Sequence, residues 1–162
     1  MIVNNIKGDG YIMNELQKID NNIKTINSRE VAKMMGREHK EVLRMLEGQK
    51  RKDGTYKHVG IIPTLEMSEE VHLFDYFIKS SYKDSMNRIK PCYECTKLGC
   101  DMLANKMTGE KGILFTAKYV KRFREMTEYI NNQIQQLSPE DQAILNIINA
   151  NDKLDKALAI KE

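Results

Sequence analysis

Two short stretches carry the residue types of a metal-dependent hydrolase. "PCYEC", Pro91 to Cys95, and "HKE", His39 to Glu41, match as text the P-C-x-x-C and H-x-E halves of the zinc nucleobase deaminase signature. In those enzymes the metal, held by cysteine and histidine, activates a water, and the glutamate serves as general acid and base. That chemistry needs both cysteines on one metal, so the elements that carry them decide whether it is possible.

"SREVAKMMGREHKEVLRMLE", Ser28 to Glu47, predicts two helices and a turn. Ser28 suits an N-cap and Glu30 the positive end of the helix dipole. Val31, Ala32 and Met35 recur at helical spacing, and Gly36 can take the left-handed conformation that ends a helix. The second helix runs to about Glu47, with Val42, Met45 and Leu46 inward and Arg37, His39, Lys40, Glu41 and Arg44 outward. This is the layout of a helix-turn-helix, whose second helix reads base edges in the major groove. An ordinary αα-hairpin has the same pattern.

"FIKSSYK" and "IKPCYECT" predict two strands around a polar tip at Asp84 to Arg88, a hairpin made basic by Lys79, Lys83, Arg88 and Lys90. Such a hairpin after a helix-turn-helix is a wing, whose cations chiefly meet phosphates. Side chains alternate along a strand, so Cys92 and Cys95 point to opposite faces and cannot share a metal. His39-Lys40-Glu41 falls inside the second helix. The expectation is therefore no metal, no cofactor and no catalytic role, with Cys92 and Cys100 as small core residues.

Between these blocks lies "QKRKDGTYKHVGIIP", a loop with a turn at Asp53-Gly54, phosphate-contacting candidates Lys50, Arg51 and Lys52, and a short strand over Val59 to Ile62. Thr64 to Glu70 adds a helical turn. After the hairpin, Thr96 caps a helix with Leu98, Met102, Leu103 and Met107 inward, closed by Gly109. A longer helix from Gly112 buries Phe115, Tyr119, Phe123, Met126 and Ile130. Its other face carries Lys118, Lys121, Arg122 and Arg124, against phosphate or simply in water. Asn131 to Gln136 reads as a polar extension, and Ser138-Pro139 starts a last helix. There Ile144, Ile147, Asn151, Leu154 and Leu158 fit a heptad series, suited to a short dimerising coil or to packing on the parent domain.

Net charge is only +3 over 162 residues, but it is segregated. Ser28–Lys57 holds nine Lys/Arg against five Asp/Glu, Phe77–Lys97 five against two, and Lys106–Arg124 six against one. A fold could gather these onto one basic face for nucleic acid, or leave them as solvated surface. No apolar run approaches the roughly 20 residues of a spanning helix. Three cysteines without framework spacing suit a reducing cytoplasm.

The blocks "INSREVAKMMGREHKEVLRMLE", "FIKSSYKDSMNRIKPCY" and "TKLGCDMLANKMTGEKGILFTAKYVKRFREM", about Ile26 to Met126, resemble the phage regulatory proteins called Rha, a class of antirepressor-like regulators. The resemblance implies an α+β winged helix-turn-helix domain of a prophage-encoded regulator, often followed in longer relatives by a separate C-terminal domain. On this chain the reading helix becomes Arg37 to Glu47 and the wing Tyr82 to Pro91. Family text after "PCY" is aliphatic where this chain has Glu94-Cys95, which makes Cys95 incidental. From Ser138 onward the resemblance ends, leaving open a naturally short member or a piece of a longer one.

The resulting organisation is an N-terminal extension (1–24), a winged helix-turn-helix domain (25–136) and a helical tail (137–162). The expected function is DNA-binding regulation of the lysis–lysogeny decision from the host cytoplasm. Arg37, His39, Lys40 and Arg44 would meet bases or nearby phosphates, and Lys83, Arg88 and Lys90 the backbone of double-stranded DNA, with a homodimer as one possible state. The competing expectation is a protein-binding factor that uses the same basic surface to sequester a repressor or inhibit a host defence protein. Met13-Asn14-Glu15 resembles the start of related proteins, so Met1 to Ile12 reads as an upstream extension. Its deletion is expected to leave fold and binding intact, which circular dichroism and a binding assay on the shortened protein would check.

Overall fold

A computed structural model of the chain describes residues 24–159, with side chains except at Asp152 and beyond Asp155; residues 1–23 of the N-terminal extension fall outside them. β1 (Ile26–Asn27) leads into α1 (Ser28–Met35), and α2 (His39–Glu47) follows after a tight turn. A first hairpin, β2 (Gly48–Lys50) and β3 (Tyr56–Val59), runs directly off α2 and returns to α3 (Ile61–Glu66). After a 3-10 turn at Leu73–Asp75 come a second hairpin, β4 (Phe77–Lys83) and β5 (Ile89–Cys95), and then α4 (Lys97–Ala104), α5 (Gly109–Gln135) and α6 (Pro139–Ala159). The architecture is α+β, with an antiparallel sheet in the order β1-β5-β4 and a separate β2-β3 pair.

Lys24–Met126 forms one compact unit. Its core is built as the apolar spacing predicts: Val31, Ala32 and Met35 of α1, Val42 and Leu46 of α2, and Phe115, Tyr119 and Phe123 of α5 are all buried. Gly36 has φ 65° and sends its N–H to the Ala32 and Lys33 carbonyls, closing α1. Lys118 Nζ donates to the Met34 carbonyl at 3.3 Å, and Arg122 pairs with Glu30 at 3.0 Å. Two of the four cations on the basic face of α5 thus strap it to α1.

Several boundaries differ from the sequence reading. The cap of α1 is Asn27, whose side chain accepts from the Arg29 N–H, because Ser28 is buried and used elsewhere. The strand expected over Val59–Ile62 lies earlier, at Tyr56–Val59; Ile61 and Ile62 are buried by the start of α3 instead, where Pro63 lacks only an N–H that a first turn leaves free. Gly109 opens α5 rather than closing α4, and α5 continues through the supposed polar extension to Gln135. Leu98 is exposed, and Gly99, Cys100 and Leu103 form the buried side of α4.

From Thr127 onward the described residues belong to a second unit. Ser138 caps α6, its Oγ accepting from the Asp141 N–H at 3.2 Å. Ile144, Ile147 and Leu154 are exposed, and the Leu158 side chain lies outside the described residues.

The β2-β3 hairpin is locked to α2 by two glycines. A Cβ on Gly48 would lie 2.5 Å from the Gly60 nitrogen and the His58 oxygen, and one on Gly60 would strike the Gly48 nitrogen, the Glu47 carbonyl carbon and the Leu46 oxygen. All these obstacles are backbone, so no side chain can swing aside. Gly60→Ala should destabilise the protein by about 2–3 kcal/mol or more, as overpacking does. Urea unfolding of the variant against the parent measures it.

Candidate nucleic-acid interface

The outward face of α2 starts in the turn. Arg37 is exposed, its N–H spent on the Ala32 carbonyl and its guanidinium without a hydrogen-bond partner among the described residues. Glu38 caps α2 in a capping box with Glu41, whose carboxylate accepts from the Glu38 N–H at 3.0 Å. Lys40 reaches back to Glu38 at 2.5 Å, which lowers the Glu38 pKa and raises that of Lys40. Both side chains are about 70% exposed (72% and 68%), and solvent screens a pair this wet. A phosphate could therefore take Lys40 at little cost. Arg44, one turn on, is exposed on the same side of the helix, with no carboxylate partner among the described residues.

His39 is placed differently. Its Nε2 lies 2.9 Å from Ser28 Oγ, and its ring meets Tyr82 edge-on with centroids 5.9 Å apart. Ser28 Oγ also accepts from the Tyr93 N–H at 3.0 Å. Burial first, and the nearby Arg29 charge second, lower the His39 pKa, against an opposing effect of Glu47. With its proton on Nδ1, the neutral ring would accept the Ser28 hydroxyl proton at Nε2. His39 thus joins α2 to α1 and to β5, and is the least available of the four predicted reading residues.

The second hairpin divides its cations. In register, Lys83 pairs with Ile89 and Tyr82 with Lys90, so Lys83 and Lys90 occupy opposite faces. Arg88 is drawn into the tip: its Nε bonds Asp84 Oδ2 at 2.8 Å, while Asp84 Oδ1 accepts from the N–H groups of Met86 and Arg88. These bonds, led by the Arg88 N–H, lower the Asp84 pKa. Arg88 therefore shapes the tip and has its charge offset there. Lys83 is exposed and Lys90 half-buried.

Arg29 is a residue the sequence reading passed over. Its guanidinium sits 4.1 Å above the Tyr82 ring, joining the start of α1 to the hairpin, a contact worth about 0.5–1 kcal/mol when exposed. No spacing rule would have found it, because the two residues meet only through the sheet.

Cys92 and Cys95 are set on opposite faces of β5. Asn27 Nδ2 contacts Cys92 Sγ at 3.4 Å and Glu94 Oε1 at 2.7 Å, placing Cys92 and Glu94 on one face of β5. Cys95 lies on the other, in the hydrophobic core with Cys100. Cys95 is fully buried, like Cys92 and Cys100. Burial pushes the Cys95 thiol well up and that of Cys100 to about 12, away from the thiolate a metal or nucleophilic role needs. Among the described residues no three His, Cys, Asp or Glu side chains gather as metal ligands, and no helix is long and apolar enough to cross a membrane.

The class defined by this fold and surface is an α+β domain that presents to solvent two basic hairpins and a helix of mixed charge whose outward cations are Lys40 and Arg44. The family model for phage regulatory protein Rha matches residues 26–128, and the chain belongs to that family. It is 41% identical over 101 residues to the SPbeta prophage-derived protein YoqD of Bacillus subtilis (strain 168), whose name proposes an antirepressor role. The match covers 62% of this chain and 35% of that relative, so the chain spans about a third of it. No solved structure matches the chain.

Because the folded-state pKa of His39 lies below its ordinary 6.5, the unfolded chain takes the proton first. Stability from this contact is then full above about pH 6.5 and falls as pH drops toward the folded-state value. NMR titration should place the His39 midpoint below 6.5, and His39→Gln should remove that part of the acid-side loss. A midpoint at or above 6.5 would contradict the assignment.

Proposed function

We propose that this phage regulatory protein is a non-enzymatic winged helix-turn-helix DNA-binding regulator that acts in the lysis–lysogeny decision from the host cytoplasm. The observation that carries this is connectivity. A strand, two helices about a glycine turn, and a later hairpin whose returning strand pairs with the first strand is the order in which a winged helix is assembled. α2 is then the reading helix. Arg37, Lys40 and Arg44 meet guanine edges or flanking phosphates, and Lys83 and Lys90 supply backbone contacts from the wing. His39 holds the reading helix in place, and Arg88 the wing tip.

The antirepressor role in the relative's name favours a second reading, in which the same basic surface docks on a repressor or a host defence protein. Salt separates the two, since each phosphate contact steepens the log-log dependence of affinity by about 0.9.

The deciding experiment titrates the protein onto duplex fragments tiled across the DNA adjoining its own gene, at low and moderate salt. The parent should select one fragment. Arg37→Ala/Lys40→Ala/Arg44→Ala should lose that selection, with about 1–3 kcal/mol lost for each base contact removed. A folded protein that selects no fragment would turn the assignment to the protein-binding reading.

A further inference from the structure

We propose that the β2-β3 hairpin is a second nucleic-acid arm, which grips the phosphate backbone of the duplex beside the stretch read by α2. This rests on the DNA-binding reading above and extends it to an element outside the helices and the wing.

The hairpin stands clear of the core. Every residue from Gln49 to Val59 is exposed except half-buried Tyr56. A two-stranded hairpin is at best marginally stable by itself in water, yet this one is fixed at three points. At its root, the Gly48–Gly60 backbone contact fuses it to the end of α2. At its tip, Asp53 Oδ1 accepts from the N–H and hydroxyl of Thr55 at 2.9 and 2.6 Å, and Arg51 Nη1 reaches the Tyr56 carbonyl at 2.9 Å. Along its length, Lys50 Nζ lies 5.1 Å from the Tyr56 ring centroid.

What this organises is positive charge. Lys50, Arg51, Lys52 and Lys57 face a single carboxylate, Asp53, already occupied in the turn. None of the three lysines has a carboxylate partner among the described residues. The pairing jumps from Gln49↔His58 to Lys50↔Tyr56, so Lys57 is an extra, unpaired residue at a bulge, a device that re-aims a side chain. At about 3.3 Å per residue the arm reaches roughly 16 Å beyond α2, a length along which one strand of a duplex presents a phosphate about every 3.4 Å of helix axis. Flexible ammonium groups bind phosphate as point charges and carry no base code, so the arm adds affinity and position without selectivity.

The test is Lys50→Gln/Lys52→Gln/Lys57→Gln, three exposed changes that should leave the circular dichroism spectrum intact. The selected fragment and a random duplex of equal length are titrated across a salt series. The log-log salt slope should become shallower by about 2–3, at about 0.9 per phosphate lost. Affinity for both duplexes should fall by a similar factor, the preference between them should survive, and the hydroxyl-radical footprint should shorten on one flank. An unchanged slope, or lost preference at an unchanged slope, overturns the arm. If the Arg37/Lys40/Arg44 variant still loses selection in the same series, the reading helix stands without it. If the parent binds neither duplex, the DNA-binding reading fails and the arm with it.

Discussion

Much of the arrangement depends on one hydroxyl. Ser28 opens α1, lies fully buried, accepts a backbone N–H from the middle of β5 and meets the ring that opens α2. Two adjacent helices and a strand distant in sequence therefore share a single oxygen atom. An unsatisfied buried donor costs about 1–3 kcal/mol, so the geometry that keeps Tyr93 and His39 both bonded is the one the surrounding core has to deliver. Tyr93 adds a second tie on the same strand, its hydroxyl donating to Glu47 near the other end of α2 at 2.9 Å. The orientation of α2 on the sheet is thus held at both ends by polar bonds and in the middle by Val42 and Leu46.

The basic surface sorts itself by what each charge already does. Arg122, Lys118 and Arg29 hold α5 and the sheet against α1, and Arg51 and Arg88 brace the two hairpin tips. Arginine dominates the bracing roles, as its several donors and flat face allow. Lys40, Lys83 and the three lysines of the first hairpin, with Arg37 and Arg44, remain where solvent reaches them. A count of positive residues overstates the charge offered to a partner, and the hydrogen-bond pattern corrects it.

Periodicity made much of this legible. "FIKSSYK" is β4 residue for residue, Gly36 terminates α1 in the left-handed conformation, and the Phe115, Tyr119, Phe123 stripe of α5 is buried. What could not be read locally came from contacts across the fold. Asn27 and Ser28 are both good caps, and only the demand of β5 and His39 for a hydroxyl decides between them. Ile61-Ile62 is as apolar as a strand, but Gly60 pressed on Gly48 turns the chain into α3. His39 reads as an exposed helix residue until Tyr82 arrives from the hairpin. The division of Lys83 from Lys90 depends on cross-strand register, which one strand's sequence does not set.

The Gly48–Gly60 contact has a meaning beyond rigidity. The chain leaves α2 and returns to α3 at the same point, so everything between forms a closed excursion whose ends are already joined. Such a segment can change in length or content without moving the elements that flank it. Related regulators could then exchange this segment alone, changing how far along a surface the molecule reaches while every core contact of the domain stays as it is.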